Sequence, residues 1–113
     1  MIEFEKMLDG LIKYIDEKFI SNMNNLQEIG VRILLGEVYD NRGKIKELLL
    51  NNGIVKTFGY IDNEGNIDIE KLMHRLKKEI QNKGKLEIAV PMYGKMIFTP
   101  EDVDEIYNYI RGV

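Results

Sequence analysis

The single histidine and the single serine are the first residues to consider for catalysis. His74 is the only histidine in the chain and Ser21 is the only serine. A hydrolytic triad needs a serine hydroxyl beside a histidine ring, but Ser21 falls at the predicted cap between two helices, and nothing in the sequence brings it near His74. Glu70 precedes His74 by four residues, so the two share a helix face and could offer two metal ligands. Without a further His or Cys this pair is a weak metal site, and we expect His74 to be a solvated surface residue.

The segment Asp62–Asp68 has the acidic, glycine-containing composition of a calcium-binding loop. If Gly65 takes the sixth position of such a loop, the first ligand position falls on Tyr60 and the bidentate acid position falls on Lys71. A cation at the bidentate position defeats the site. The sequence therefore predicts a plain turn that leads into a helix cap.

A second glycine-containing segment runs from Gly36 to Lys44 and has the outline of a phosphate-binding loop. A P-loop needs four residues between its glycines and a Ser or Thr after the lysine to hold magnesium. Here Gly36 and Gly43 are separated by six residues and Ile45 follows the lysine. The segment also follows a predicted helix rather than a strand, so we expect no nucleotide site.

Acidic residues are most concentrated just after Thr99 and Pro100. They are Glu101, Asp102, Asp104 and Glu105. A capping hydroxyl, a proline and acids in this order are typical of a helix start, where the positive end of the helix dipole favours negative charge. A pair of catalytic carboxylates remains an alternative, because the fold rather than the spacing assembles such pairs. The sequence predicts no catalytic, cofactor-binding or metal-ligating residue and favours a protein that is not an enzyme.

A basic strip extends from Lys71 to Lys85 along a predicted helix and its exit. Lys71, Arg75 and Lys78 share one face of that helix with His74 and could touch phosphates. The strip has no interleaved aromatic residues on which bases could stack, and the chain as a whole carries a net charge of -3. An accessory nucleic-acid-binding protein is therefore the alternative hypothesis, and a solvated or internally paired helix face is the favoured one.

The tip of a predicted hairpin carries Met92 and Tyr93. A Met-Tyr pair is more apolar than a solvated loop requires, which suits contact with a partner protein. The same two side chains could equally fold back onto the core. The sequence leaves both interpretations open.

Composition sets the broad class of the protein. A chain of 113 residues without cysteine is the size of one domain and must be stabilised by packing rather than by disulfides or thiolate-bound zinc. The N-terminal residues are acidic where a signal peptide would be basic, and no apolar run reaches the length of a membrane span. We therefore expect a cytoplasmic protein that binds no membrane. Abundant Lys, Ile and Asn, with almost no Ala, indicate an AT-rich bacterial or prophage genome.

Periodicity predicts an α+β fold in a single domain, 1–113. A helical half, 1–53, precedes an α+β half, 54–113, built as strand, helix, hairpin and helix around a short, mainly antiparallel sheet. The expected helices are 2–20, 24–39, 44–50, 69–82 and 100–110, the expected strand is 54–61, and the hairpin strands are 85–90 and 95–98. Gly53 is expected to cap the third helix in the left-handed conformation.

The second helix has an unusually wide apolar face. Its predicted buried stripe consists of Leu26, Ile29, Ile33, Leu34 and Val38, and Val31 and Leu35 widen it. An excess of apolar surface in the first two helices of a short chain suits contact with another subunit. The sequence therefore favours a non-enzymatic protein-interaction or assembly module that forms a homo-oligomer and needs no cofactor.

Overall fold

The computed structural model describes residues 1–90 and 93–112. Within those residues the chain forms helices joined by short connections and four short strands. In chain order the elements are β1 (Ile2–Glu3), α1 (Phe4–Lys18), α2 (Asn25–Asp40), α3 (Arg42–Asn51), α4 (Gly53–Thr57), β2 (Asn66–Ile67), α5 (Ile69–Lys83), β3 (Leu86–Val90), β4 (Gly94–Phe98) and α6 (Pro100–Arg111). A 3-10 turn, Ile20–Asn22, separates α1 from α2.

The strands form two small antiparallel pairs. Ile2 of β1 lies opposite Ile67 of β2, and β3 pairs with β4 as a hairpin in which Leu86 lies opposite Phe98. The predicted α+β class is confirmed, although strand pairing in the described residues is divided between two sheets of two strands. The sequence does not predict β1, because two residues are too few to show a strand alternation.

The strand predicted over 54–61 is wrong. The chain instead forms the one-turn helix α4, and the side chain of Asn52 accepts a hydrogen bond from the Val55 N–H at 3.0 Å to cap it. The local cap overrides the β-propensity of the apolar run. Gly53 is accordingly the first residue of α4 rather than a left-handed cap. Only Ile61 retains strand character, as an isolated bridge to Ile67.

Among the described residues, two apolar clusters hold the fold together. The main cluster brings α1, α2, α5, the hairpin and α6 together, and its most completely buried side chains are Tyr14, Val31, Val103 and Ile110. A smaller cluster contains Phe4, Leu8, Ile61 and Ile67. Helix α1 contributes to both clusters, so side chains from 1–53 and from 54–113 pack together.

Side-chain caps set the starts of α5 and α6 as the sequence predicts. Asp68 accepts a hydrogen bond from the Lys71 N–H at 3.1 Å, and Thr99 and Asp102 form a reciprocal capping box. Asp102 also accepts a hydrogen bond from the buried Tyr14 hydroxyl at 3.5 Å. Burial, reinforced by the nearby carboxylates, raises the pKa of Tyr14 well above its ordinary value. The cap of α6 is therefore tied to the centre of α1.

Candidate interaction surface

Three residues predicted to be buried on α2 instead face outward. Leu26 is 59% exposed, Ile29 is 54% exposed and Ile33 is 57% exposed. The helix buries the side that carries Val31, which is only 1% exposed. With successive residues about 100° apart around the helix, Val31 lies on the side opposite Leu26, Ile29 and Ile33. The prediction is wrong for these three residues, because a helix that is apolar on most sides does not reveal which side meets the core.

The outward residues lie in a row. Leu26, Ile29 and Ile33 are spaced i, i+3 and i+7, which places them along one face of a helix. Gly36 continues the row, and a Cβ atom built at Gly36 would have no heavy atom within 4 Å. We refer to Leu26, Ile29, Ile33 and Gly36 as the α2 seam. The seam is an aliphatic ridge that ends in an open notch.

Local structure holds the seam in a fixed orientation. The side chain of Asn24 accepts a hydrogen bond from the Gln27 N–H at 2.9 Å, and the Gln27 side chain accepts one from the Asn24 N–H at 3.1 Å. This reciprocal cap fixes the first turn of α2. Burial of Val31 on the opposite side anchors the middle of the helix. The outward row is thus part of a capped and anchored helix.

A groove runs beside the seam, between α1 and α2. Its volume is about 600 Å³, which is within the range of ligand-binding clefts. Ile12, Leu35 and Tyr39 contribute apolar and aromatic surface to it. Arg32 lies at its edge and forms an ion pair of 3.1 Å with Asp16 across the two helices. The seam is thus a ridge, the groove is a depression next to it, and Arg32 lies at the edge of the groove.

The predicted basic strip lies on the exposed side of α5, and several of its cations have partners within the chain. Lys71 donates a hydrogen bond to the Phe58 carbonyl oxygen at 3.3 Å, and Arg75 forms an ion pair with Glu79 at 3.1 Å. Lys78 is exposed. Two further cations of the strip are paired, Lys77 with Asp104 and Lys85 with Glu87. Positive charge on this surface is therefore partly neutralised by the protein's own carboxylates.

His74 and Glu70 lie near one another on α5, and each has a surface environment. Tyr107 donates a hydrogen bond to the Glu70 carboxylate at 2.9 Å, and this bond lowers the pKa of Glu70. The His74 side chain is exposed. Within 1–90 and 93–112, no group of three or more His, Cys, Asp or Glu residues is arranged to hold a metal ion. The arrangement is that of a hydrogen-bonded helix surface.

The acidic residues at the start of α6 have structural contacts. Asp102 accepts hydrogen bonds from the Thr99 N–H and hydroxyl as part of the helix cap. Asp104 forms an ion pair with Lys77 at 2.9 Å, and Glu105 lies 3.8 Å from Lys18. These contacts account for three of the four acids without a catalytic role.

The carboxylate of Asp62 closes the turn that the sequence predicts. Its Oδ1 atom accepts hydrogen bonds from the N–H groups of Glu64 and Asn66, both at 2.9 Å, and its Oδ2 atom accepts one from the Asn66 side chain. The hydrogen bond from the Asn66 N–H is the main reason that the pKa of Asp62 is below its ordinary value of 3.8. Both oxygens are thus engaged by their own loop.

Replacing Asp62 by Asn should destabilise the protein near neutral pH and have little effect in acid. A carboxylate whose pKa is lower in the native state stabilises that state above the unfolded pKa, and the contribution disappears as the pH falls through the native pKa. Urea unfolding of the two proteins between pH 6 and pH 2 measures this, and the difference in midpoint should shrink below about pH 4. Glu64→Gln, in the same loop, is the matched control. A midpoint difference independent of pH would contradict the assignment.

Met92 and Tyr93, at the predicted hairpin tip, are the two residues that the sequence suggests for partner contact. Met92 lies outside the described residues. Tyr93 is half-buried and packs against the main apolar cluster, which corresponds to the alternative in which the tip folds back onto the core. The candidate interaction surface is the α2 seam, because its three large aliphatic side chains are each more than half exposed.

Comparison of the chain with protein-family models, with curated proteins and with solved structures found no match. In the described parts of the chain, no helix combines the length and the apolar character needed to cross a membrane. The function is consequently inferred from the residues and their geometry.

Proposed function

We propose that this protein is a non-enzymatic assembly module that self-associates through the α2 seam. The observation that supports the proposal is the row of three large aliphatic side chains, each more than half exposed, along one capped helix. Isolated exposed apolar residues are common on monomers, whereas contiguous apolar patches mark interaction sites. Leu26, Ile29 and Ile33 are contiguous, so a second copy is a partner that can cover them.

The expected association is weak and depends on concentration. Complete burial of a Leu or Ile side chain is worth about 1.5–3 kcal/mol, so burying the exposed half of six such side chains, three from each copy, contributes about 5–9 kcal/mol. The loss of translational and rotational freedom costs about 4–15 kcal/mol. The two ranges overlap, and further contacts around the seam must contribute. We expect a dissociation constant between about 10 µM and about 1 mM.

Sedimentation velocity over that concentration range tests the proposal. The wild-type protein should shift from monomer to dimer, and Ile33→Glu should remain monomeric because it places a charge in the apolar contact. Leu48→Glu is the matched control, since Leu48 is 71% exposed but lies on α3, outside the seam. A wild-type protein that stays monomeric at about 1 mM, or equal effects of the two substitutions, would refute the proposal.

The nucleic-acid hypothesis has weaker support. Binding through α5 would rely on Lys71, Arg75 and Lys78, and two of these already contact groups of the same chain. If the hypothesis holds, the protein binds nucleic acid at low salt, and Arg75→Glu with Lys78→Glu abolishes that binding. The proposed assembly role predicts no binding at about 50 mM salt, which an electrophoretic mobility shift measures directly.

A further inference from the structure

We infer that, where the protein self-associates as proposed above, two copies pair with their α2 helices parallel, about a two-fold axis that runs along the helices. The inference rests on the proposed function and adds the orientation of the partner. Leu26 and Ile33 are seven residues apart, and so are Ile29 and Gly36. The α2 seam therefore has the a and d positions of a heptad repeat, the spacing with which two helices pack side by side.

Charges beside the seam favour the parallel orientation. With Ile33 at an a position and Gly36 at a d position, Arg32 occupies the g position and Glu37 occupies the e position. These two positions flank the seam on opposite edges, and the two residues are five apart in sequence. In parallel pairs, a residue at the first of these positions faces the residue five positions later on the partner helix. Arg32 of each copy then faces Glu37 of the other. Antiparallel helices would instead bring like edges together, and the two Arg32 side chains would approach each other.

Arg32 is able to make this additional contact. Its ion pairs with Asp16 and Glu28 are both made by the same terminal nitrogen, at 3.1 and 3.3 Å. The guanidinium carries five N–H donors, and the Arg32 side chain is 55% exposed. Glu37 is exposed on the other edge. Two symmetric Arg32–Glu37 contacts can therefore flank the seam without breaking the pairs that Arg32 makes within its own chain.

The groove between α1 and α2 also fits the parallel arrangement. The groove lies on the Arg32 edge of the seam, with Leu35 and Tyr39 along it. Around the helix, Ile33 lies on the Glu37 side of the seam. A two-fold axis along the helices places that side of one copy against the Arg32 side of the other. The aliphatic side chains of the α2 seam of each copy then lie next to the groove of its partner. An antiparallel pair would place groove opposite groove, so that neither groove would lie beside the aliphatic ridge of the other copy.

Disulfide cross-linking tests the orientation, because the chain contains no cysteine that would compete. Leu26→Cys and Gly36→Cys mark the two ends of the seam. In a parallel pair, two chains of the same variant should form a disulfide with each other. A mixture of the two variants should give little disulfide between a Leu26→Cys chain and a Gly36→Cys chain. The two positions are about 15 Å apart along the helix, which exceeds the reach of a disulfide.

The opposite pattern would overturn the inference: a disulfide between a Leu26→Cys chain and a Gly36→Cys chain, and none between two chains of the same variant. Glu37→Arg supplies a second measurement that does not depend on cysteine geometry. It should weaken dimerisation by about tenfold, because two exposed ion pairs become two repulsive contacts; an unchanged dissociation constant would also overturn the inference.

Self-association and helix orientation are tested by different measurements. A wild-type protein that remains monomeric in sedimentation refutes self-association itself and the orientation with it. A wild-type dimer that gives the antiparallel cross-links refutes only the orientation.

Discussion

Replacing Gly10 by Ala should destabilise the protein by about 1–3 kcal/mol, the usual cost of overpacking a close contact. Gly10 is buried in the middle of α1 where that helix crosses α6. A Cβ atom at this position would lie 2.6 Å from the Cα atom of Ile110 and 3.1 Å from its backbone nitrogen. Backbone atoms cannot rotate away as a side chain can, so the two helices would have to separate.

The sign of this effect distinguishes packing from helix propensity. In an exposed helix interior, Gly→Ala stabilises by about 1 kcal/mol. Gly43→Ala is the control for open space, because Gly43 lies in the first turn of α3 and a Cβ atom there has no heavy atom within 4 Å. Urea unfolding monitored by circular dichroism should show opposite shifts for the two variants. Equal stabilisation by both would mean that α1 and α6 do not approach as closely as described.

Gly10 shows what the sequence indicates and what it does not. By helix propensity alone, a glycine inside an amphipathic helix makes the helix about 1 kcal/mol less stable than alanine would. Its benefit, close approach to Ile110, depends on a residue 100 positions later in the chain. Caps behave differently because they are local. Asp68 and Thr99 therefore locate the starts of α5 and α6 correctly from the sequence.

The two errors in secondary structure have different physical origins. Ile54 and Val55 favour a strand by propensity, but the neighbouring Asn52 side chain caps a turn of helix. The pairing of Ile2 with Ile67 joins segments far apart in the chain and leaves no local pattern. The first error is a local cap that outweighs strand propensity, and the second is a long-range pairing; hydrophobic periodicity shows neither contact.

The candidate surface was partly visible in the sequence. Leu26, Ile29 and Ile33 stand out as an apolar row, and the unusual width of the apolar face of α2 signals more surface than a small core can cover. Which side of α2 meets the core depends on its neighbours, and the burial of Val31 decides it. The heptad spacing of the row was the available signal for the surface that we propose packs against a second copy.

Replacing Ile110 by Ala should have the largest effect on stability, a loss of about 2–5 kcal/mol. The Ile110 side chain is 1% exposed and lies in the main apolar cluster. Its removal would leave a cavity between helices that already meet at Gly10, so the backbones cannot close the space. Leu48→Ala is the matched control, because Leu48 is 71% exposed and its truncation should change the unfolding free energy by less than about 0.5 kcal/mol.

The Ile110 variant also separates stability from association. Ile110 lies in the core formed with α1, whereas the α2 seam faces outward, so the two sites share no partner. In the absence of denaturant, Ile110→Ala should dimerise with the wild-type dissociation constant as long as the folded state remains the major one. Ile33→Glu should do the reverse, losing dimerisation while its monomer unfolds within about 0.5 kcal/mol of the wild-type monomer. Urea unfolding at low protein concentration, together with sedimentation at high concentration, measures both quantities. A loss of dimerisation by folded Ile110→Ala would show that self-association depends on the core rather than on the seam.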